Sequence, residues 1–240
     1  MNRKFIWSFA KFNGVSWLRE NPWSVLANIV SPCCLLVIIY LISGGSFIDY
    51  AVVGGTVAII ASTTLTSTGQ SALFKLEFKI QDLLVSTKVS ILDYVSAFTV
   101  AQLVFASPGI AFFTILSIAL HIFTPLRFAT TLVVGVILAI TTVSIGVFVG
   151  TKIKRTIGMW AISGIMSSLL TLLPPTFYPY KVLPTWVLYV LSVSPITPAA
   201  VILQGAYGLG KVDNIMWFVL IGEFIFYVCL VKKFATWTEK

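Results

Sequence analysis

Apolar stretches of about twenty residues alternate along this chain with short runs carrying glycine, proline or charge. A helix needs about 20 apolar residues to cross the hydrocarbon core of a bilayer. By that measure six stretches read as spans, at about 23–42, 50–71, 95–120, 128–150, 157–173 and 214–231. Asn21-Pro22 opens the first, since proline suits the first helical turn, and Gly44-Gly45 closes it. Pro108-Gly109 predicts a kink in the third.

Three segments depart from that rhythm. Residues 3–20 are too short and too charged to span. Phe5, Phe9 and Phe12 share one helical stripe with Lys4 and Lys11 off it, and Trp7 and Trp17 add anchors, so an interfacial helix is expected there. Residues 74–90 carry Lys75, Glu77, Lys79, Asp82 and Lys88 around Phe78, Leu83 and Leu84. Ile80, Leu83, Leu84 and Thr87 keep helical spacing, which predicts a short amphipathic helix on the water side. Residues 172–200 hold six of the ten prolines, at 174, 175, 179, 184, 195 and 198, yet remain apolar and aromatic. Each proline removes a backbone donor. The expectation is a broken hairpin, 174–200, dipping into the membrane from one side with its bare backbone groups covered by protein.

Composition puts the pattern in a membrane. The 240 residues are 58% hydrophobic and 10% charged, with a mean hydropathy of +0.99; soluble domains carry about 25% charged residues. The net charge of +8 does not read as nucleic-acid binding, because the cations cluster at the ends of apolar runs. With the N-terminus inside, thirteen Lys and Arg fall on inner segments and three, Arg127, Lys181 and Lys211, on outer ones. The positive-inside rule then makes both termini cytoplasmic, the 74–94 segment cytoplasmic and the proline-rich hairpin external. The early apolar patch is broken by Lys11 and offers no signal-peptide cleavage site.

Candidate chemistry is sparse. The second span ends in ASTTLTSTGQS, whose hydroxyls either bond back to their own helix or line a polar path. Thr142, Gly146 and Gly150 give a small-xxx-small edge for close packing that names no partner. GAYGLGKV (205–212) nearly matches a phosphate loop, but Val212 stands where a magnesium-binding hydroxyl belongs and no strand precedes it. His121 is the only histidine, and Cys33, Cys34 and Cys229 lie inside apolar runs without metal or disulfide spacing, so no metal site is expected. No paired carboxylates or nucleophile motif points to catalysis. Glu223 lies nine residues from either end of its run, about 13.5 Å at helical rise. An acid there must be protonated, paired or in a wet cavity; it serves a structural hydrogen bond or handles a substrate or cation.

Two stretches resemble the ABC-2 type transporter permeases. QDLLVSTKVSILDY (81–94) is similar to the family's cytoplasmic stretch through Asp82, Leu83, Leu84, Thr87 and Ser90, with Lys88 where a proline is usual. LLPPTFYPYKVLPTWVLYVLSVSPITPAAVIL (172–203) resembles its outer segment, with a Pro-rich entry, Phe-Tyr-Pro, Leu-Pro-x-Trp and a final Pro-x-Thr. With the six-span layout the resemblance covers nearly the whole chain. It implies an all-α membrane domain over 1–240 in the plasma membrane, without catalytic residues or cofactor of its own. The domain would work as a homodimer docked on two separate ATP-binding subunits that hold ATP and Mg. A coupling helix in 74–90 would present Phe78, Lys79, Gln81, Asp82, Leu83, Leu84, Thr87 and Lys88 to the ATPase. The hairpin, with Pro175, Phe177, Tyr178, Pro184 and Trp186, would close the outer exit of an export path for a drug-like, lipid or other amphiphilic substrate. The alternatives are an ATP-independent ion-coupled carrier or channel using Glu223, and a structural membrane scaffold.

Overall fold

The computed structural model describes residues 2–87, 89–211 and 214–235. Lys88 and Val212 therefore lie outside the described residues. The chain begins with α1 (Arg3–Ala10), a π-helical turn (Lys11–Ser16) and α2 (Trp17–Glu20), followed by α3 (Pro22–Ser43), α4 (Ile48–Leu65) and α5 (Ser67–Leu76). The short α6 (Ile80–Ser86) precedes two long helices, α7 (Ile91–Ala119) and α8 (Pro125–Lys152). Then come α9 (Met159–Leu172), a 3-10 turn (Tyr180–Val182), α10 (Thr185–Leu191), α11 (Ile196–Ala206) and α12 (Asn214–Phe234). Polar caps set several starts. Asn21 accepts from the Ser24 N–H ahead of Pro22, Thr124 from the Arg127 N–H ahead of Pro125, and Ser90 and Asp93 form a reciprocal capping box on α7.

Helix α4 is the axis of the molecule. Every residue from Ala51 to Ala61 is buried, with α3, α7, α8, α9 and α11 packed around it. Past Thr66 the chain continues as α5. The Thr66 hydroxyl and N–H both bond the Thr63 carbonyl, which tightens this turn and divides the two helices. Along α4 and α5 the partner is α8, and the two runs are parallel. Gly135 meets Ile60, Thr142 meets Thr64, Gly146 meets Ser67 and Thr68, and Gly150 meets Ser71. The small-residue edge of α8 thus lies against the hydroxyl-rich half of the second span. A Cβ on Gly146 would overlap Ser67 Oγ, and one on Gly150 would overlap Ser71 Oγ, so hydrogen at these positions is what allows the approach.

Five helices among the described residues are long and apolar enough to cross a membrane: α3, α4–α5, α7, α8 and α12. The sixth expected span, 157–173, is reduced to the 14 residues of α9. At helical rise that is about 21 Å, short of a ~30 Å core. Gly158 in the left-handed region begins it, and Pro174-Pro175 follow its end. The third span stays helical through Pro108, because the Ser107 hydroxyl donates to the Val104 carbonyl at 2.7 Å, the acceptor that proline leaves without an N–H.

The N-terminal segment also differs in detail from expectation. Asn2 N–H bonds Asp93, Phe9 packs on Tyr94 and Phe98, and Gly14 sits on Ala101. Residues 2–14 therefore run alongside the first half of α7 in the same direction. Phe5 and Phe9 face protein, while Trp7, Phe12 and Trp17 face outward. The phenylalanine stripe is split because Gly14 falls in the π-helical turn, which rotates Phe12 off the α1 face.

Ser67 Oγ is buried without a hydrogen-bond partner among the described residues. Gly146→Ala should therefore lower the thermal midpoint of the purified protein by the overpacking penalty, about 1–3 kcal/mol. Adding Ser67→Ala removes the atom in the way and should restore most of the loss. A double variant no more stable than Gly146→Ala would refute this account of the contact.

Candidate functional site

The charged segment between the second and third spans is a braced platform. Lys79, at φ 50°, turns the chain from α5 into α6. Ile80 and Leu84 pack into a cluster with Phe74, Tyr94, Val95, Phe98, Phe9, Val143, Val147 and Val231. The aromatic rings of Phe9, Phe74, Tyr94 and Phe98 lie 4.8–6.1 Å apart in tilted and edge-on pairs. The α6 helix is seven residues long and could not hold its shape alone. This anchorage fixes it and leaves Phe78 at 59% exposure and Leu83 at 65%. Asp82, Lys79 and Thr87 are exposed beside them. Gln81 and Leu84 turn inward at 6% and 7%, so they belong to the protein's own packing rather than to the outward surface.

A groove opens between α3, α4–α5 and α9. It encloses about 330 Å³ and is lined by Asn28 and Ser31 of α3, Ser62, Thr66, and Ser163, Ser167 and Ser168 of α9. Trp160 bounds one end and Phe177 and Leu35 contribute apolar wall. No charged residue lines it. The hydroxyls of the second span thus divide. Thr64, Ser67, Thr68 and Ser71 face α8, whereas Ser62 and Thr66 reach the groove.

The proline-rich stretch has no helix longer than seven residues between α9 and α11. Several of its backbone groups are taken up by side chains. At the end of α9 the Leu170 carbonyl accepts from Ser194, Thr171 from Thr176 and Leu173 from Tyr178. In the non-helical run, Gln204 of α11 is fully buried and its amide donates to the carbonyls of Pro175 (2.7 Å) and Tyr178 (3.0 Å) and accepts from the Tyr180 N–H (3.2 Å). Thr176 lies so close to α4 that a side chain on Gly54 would overlap its carbonyl. Tyr180 Oη bonds both backbone groups of Lys211, and Tyr50 Oη donates to the Leu209 carbonyl. Of the five residues expected at an outer gate, Pro175 and Phe177 are buried, Tyr178 is half-buried, and Pro184 and Trp186 are exposed.

Gln204 was not singled out from the sequence. A glutamine inside ITPAAVILQGA, directly after the proline run, is the signal that could have found it. The phosphate-loop look-alike closes a helix rather than opening one, since Gly205 lies inside α11. Glu223 lies on the α12 stripe that also holds Met216, Leu220, Tyr227 and Val231. Both carboxyl oxygens are shielded and lack a hydrogen-bond partner among the described residues.

The family model described as ABC-2 type transporter matches residues 5–207, from α1 to the end of α11. The chain belongs to the ABC-2 type transporter family. It is therefore a membrane-embedded permease of an ABC-type transporter, and this family is one of transport subunits that generally pair with an ATP-binding subunit. No curated protein matches the permease. The match takes in both α6 and the proline-rich stretch and ends before α12, which carries Glu223.

Gln204→Leu should leave two carbonyls and one N–H of the permease unpaired in an apolar setting, at about 1–3 kcal/mol for each buried group. The expected result is a lower thermal midpoint and faster proteolysis after Lys181, with α6 unaffected. Gln204→Glu should behave similarly, because it keeps the acceptor and loses both donors.

Proposed function

We propose that this permease is the membrane subunit of an ATP-driven exporter in the plasma membrane, with both termini cytoplasmic. It works as a homodimer on two separate ATPase subunits. The carrying observation is the braced α6, which sits between two spanning helices and turns Phe78 and Leu83 away from the protein. Water does not favour that exposure, and Asp82 beside it does not favour an anionic lipid surface. A groove on a protein partner suits both, with apolar anchors buried at its centre and Lys79, Asp82 and Thr87 setting register at its rim. The expected contact of Lys88 falls outside the described residues.

The second copy would cover the outward faces of α3 and α9, where Val30, Val37, Leu41, Ile165, Leu169 and Leu172 are exposed. The hydroxyl-lined groove between those helices would then face the partner copy and line the path. Its uncharged polar lining and aromatic end fit an amphiphilic substrate better than a polyanion. The hairpin would re-enter the membrane from outside and close the exit, with Trp186 and Tyr189 at the boundary.

Leu83→Asp and Phe78→Asp should each weaken ATPase docking tenfold or more, since burying one such side chain contributes about 1.5–3 kcal/mol. Co-purification with the ATPase and ATP-driven transport should fall together while the thermal midpoint holds. Leu84→Asp should instead lower the midpoint. Full ATP-driven transport in both surface variants would remove α6 as the coupling element.

The orphaned carboxyl of Glu223 favours a second reading, an ATP-independent ion-coupled carrier or channel. Glu223→Gln separates the two. Under the exporter reading transport persists and stops when ATP is withheld; under the carrier reading it is lost with protein yield unchanged.

A further inference from the structure

A second cavity, of about 540 Å³, lies on the far side of α4 from the hydroxyl-lined groove. It is a slot between α7 and α8 with Ile60 of α4 at its floor. Along α7 it extends from Leu103 to Ile115, and along α8 from Phe128 to Val136. At helical rise those stretches are ~18 Å and ~12 Å, which brackets the ~15 Å of a single leaflet. The slot is open laterally and its volume lies in the range of pockets that hold small molecules, about 300–1,000 Å³.

Its lining excludes a polar ligand. Three hydroxyls border it, and all three donate to their own helices: Ser107 to Val104, Thr114 to Ile110 and Thr131 to Arg127. The remaining wall is aliphatic or aromatic. Small residues make the room. Ala111 and Gly135 both line it, and near Ala111 Ser107 covers the carbonyl that Pro108 leaves free.

At the Phe128 end stands Arg127. It is one turn from Thr131 and carries a guanidinium fixed by the Ile122 carbonyl (2.7 Å) and by the Tyr207 ring, 5.7 Å to the centroid. Thr131 and Tyr207 hydroxyls also touch, at 3.2 Å. Arginine has five N–H donors, and those beyond the bond to Ile122 have no partner among the described residues. Arg127 is one of only three cations assigned to the outer side.

We propose that this slot is a lipid site: it holds one acyl chain of an outer-leaflet phospholipid whose anionic phosphate is bound by Arg127. An apolar slot of leaflet length, headed by a fixed cation, matches the shape and charge order of such a lipid. The site is separate from the groove between α3 and α9, so a lipid held here supports the α7–α8 pair rather than travelling the path. The leaflet is the outer one under the N-in topology proposed above; the slot and its cation suit the same lipid in either orientation.

The test is photolabelling of the full chain in nanodiscs with a phosphatidylglycerol bearing a diazirine midway along one chain. Labels should concentrate on peptides spanning 103–115 and 128–136, several-fold above those on the exposed face of α12 around Phe218–Ile225. Ala111→Phe and Val136→Phe, which fill the slot, should each return slot labelling to the α12 level. Arg127→Gln should leave labelling of the slot but abolish the preference for phosphatidylglycerol over phosphatidylcholine, expected at about fivefold from one cation at an anionic surface. Slot labelling equal to that of α12, or unchanged in both filling variants, overturns the acyl-chain site. An unchanged headgroup preference in Arg127→Gln overturns the role of Arg127. Loss of slot labelling on adding a second copy of the permease would mean that the slot is a protein contact. Transport is not read in any arm, so failure of the exporter reading leaves this result standing.

Discussion

Contact between α4–α5 and α8 is the constraint on which the other packing depends. Lipid tails are as apolar as leucine, so burying aliphatic side chains does little to bring two spans together inside a bilayer. Close approach of backbones does, and it requires atoms to be missing at the right places. Here the missing atoms are the β-carbons of Gly146 and Gly150, and the space is taken by Ser67, Thr68 and Ser71. Thr64 and Thr142 pair at 2.7 Å in the same seam. Because α4 is wrapped on all sides, its distance from α8 fixes where α7, α9 and α11 can sit. Both cavities lie against this helix, one on the Ser62 side and one on the Ile60 side.

A second constraint is the satisfaction of backbone groups where helices break. A bare carbonyl in hydrocarbon costs several kcal/mol. The prolines create such groups and nearby hydroxyls or amides take them up. Ser107 serves Pro108; Ser194, Thr176 and Tyr178 serve the end of α9; Gln204 serves three groups at once. This explains how a stretch holding six prolines stays buried along much of its length, from Pro174 to Phe177 and again from Ser194 onward.

Much of this was legible in the chain because span length and charge placement are local signals. Five spanning helices follow from apolar runs alone, and the break at 174–184 from proline chemistry. The sixth span was not, since an apolar run does not announce that Gly158 and Pro174 cut it to 14 residues. The α8 edge was visible as Thr142, Gly146 and Gly150, but its partner was not, because pairing between spans is a long-range matter that one helix cannot encode. Leu83 and Leu84 show the same limit at the candidate site. Adjacent leucines on one short helix point in different directions, and only the Phe9–Phe74–Phe98 cluster decides that Leu84 goes in and Leu83 stays out.

That cluster also bears on how a load at α6 would travel. Phe9 comes from α1, Phe74 from α5, Tyr94 and Phe98 from α7, Val143 and Val147 from α8 and Val231 from α12. A seven-residue helix that packs on α5 and adds Ile80 and Leu84 to a cluster drawn from five helices has little freedom to tilt on its own. Gln70 and Gln102 further tie α5 to α7 at 2.7 Å, and Lys75 reaches the Thr151 carbonyl of α8 at 2.8 Å. A push on Phe78 or Leu83 would therefore be met by the ends of α5 and α7 together. Above those ends α4 and α7 stay packed together, with Gly55 facing Phe113 and Gly109 facing Ile59, yet of the two only α4 borders the hydroxyl-lined groove. Helix α5 leads through Thr66 into α4 and that groove, and α7 leads past Pro108 along the apolar slot. Both carry a local break in helical bonding, at Thr66 and at Pro108, and helices bend most readily where that ladder is interrupted. Displacement at the base would then be expressed as bending at those two points, each beside a cavity, rather than as sliding along the glycine seam that holds α8.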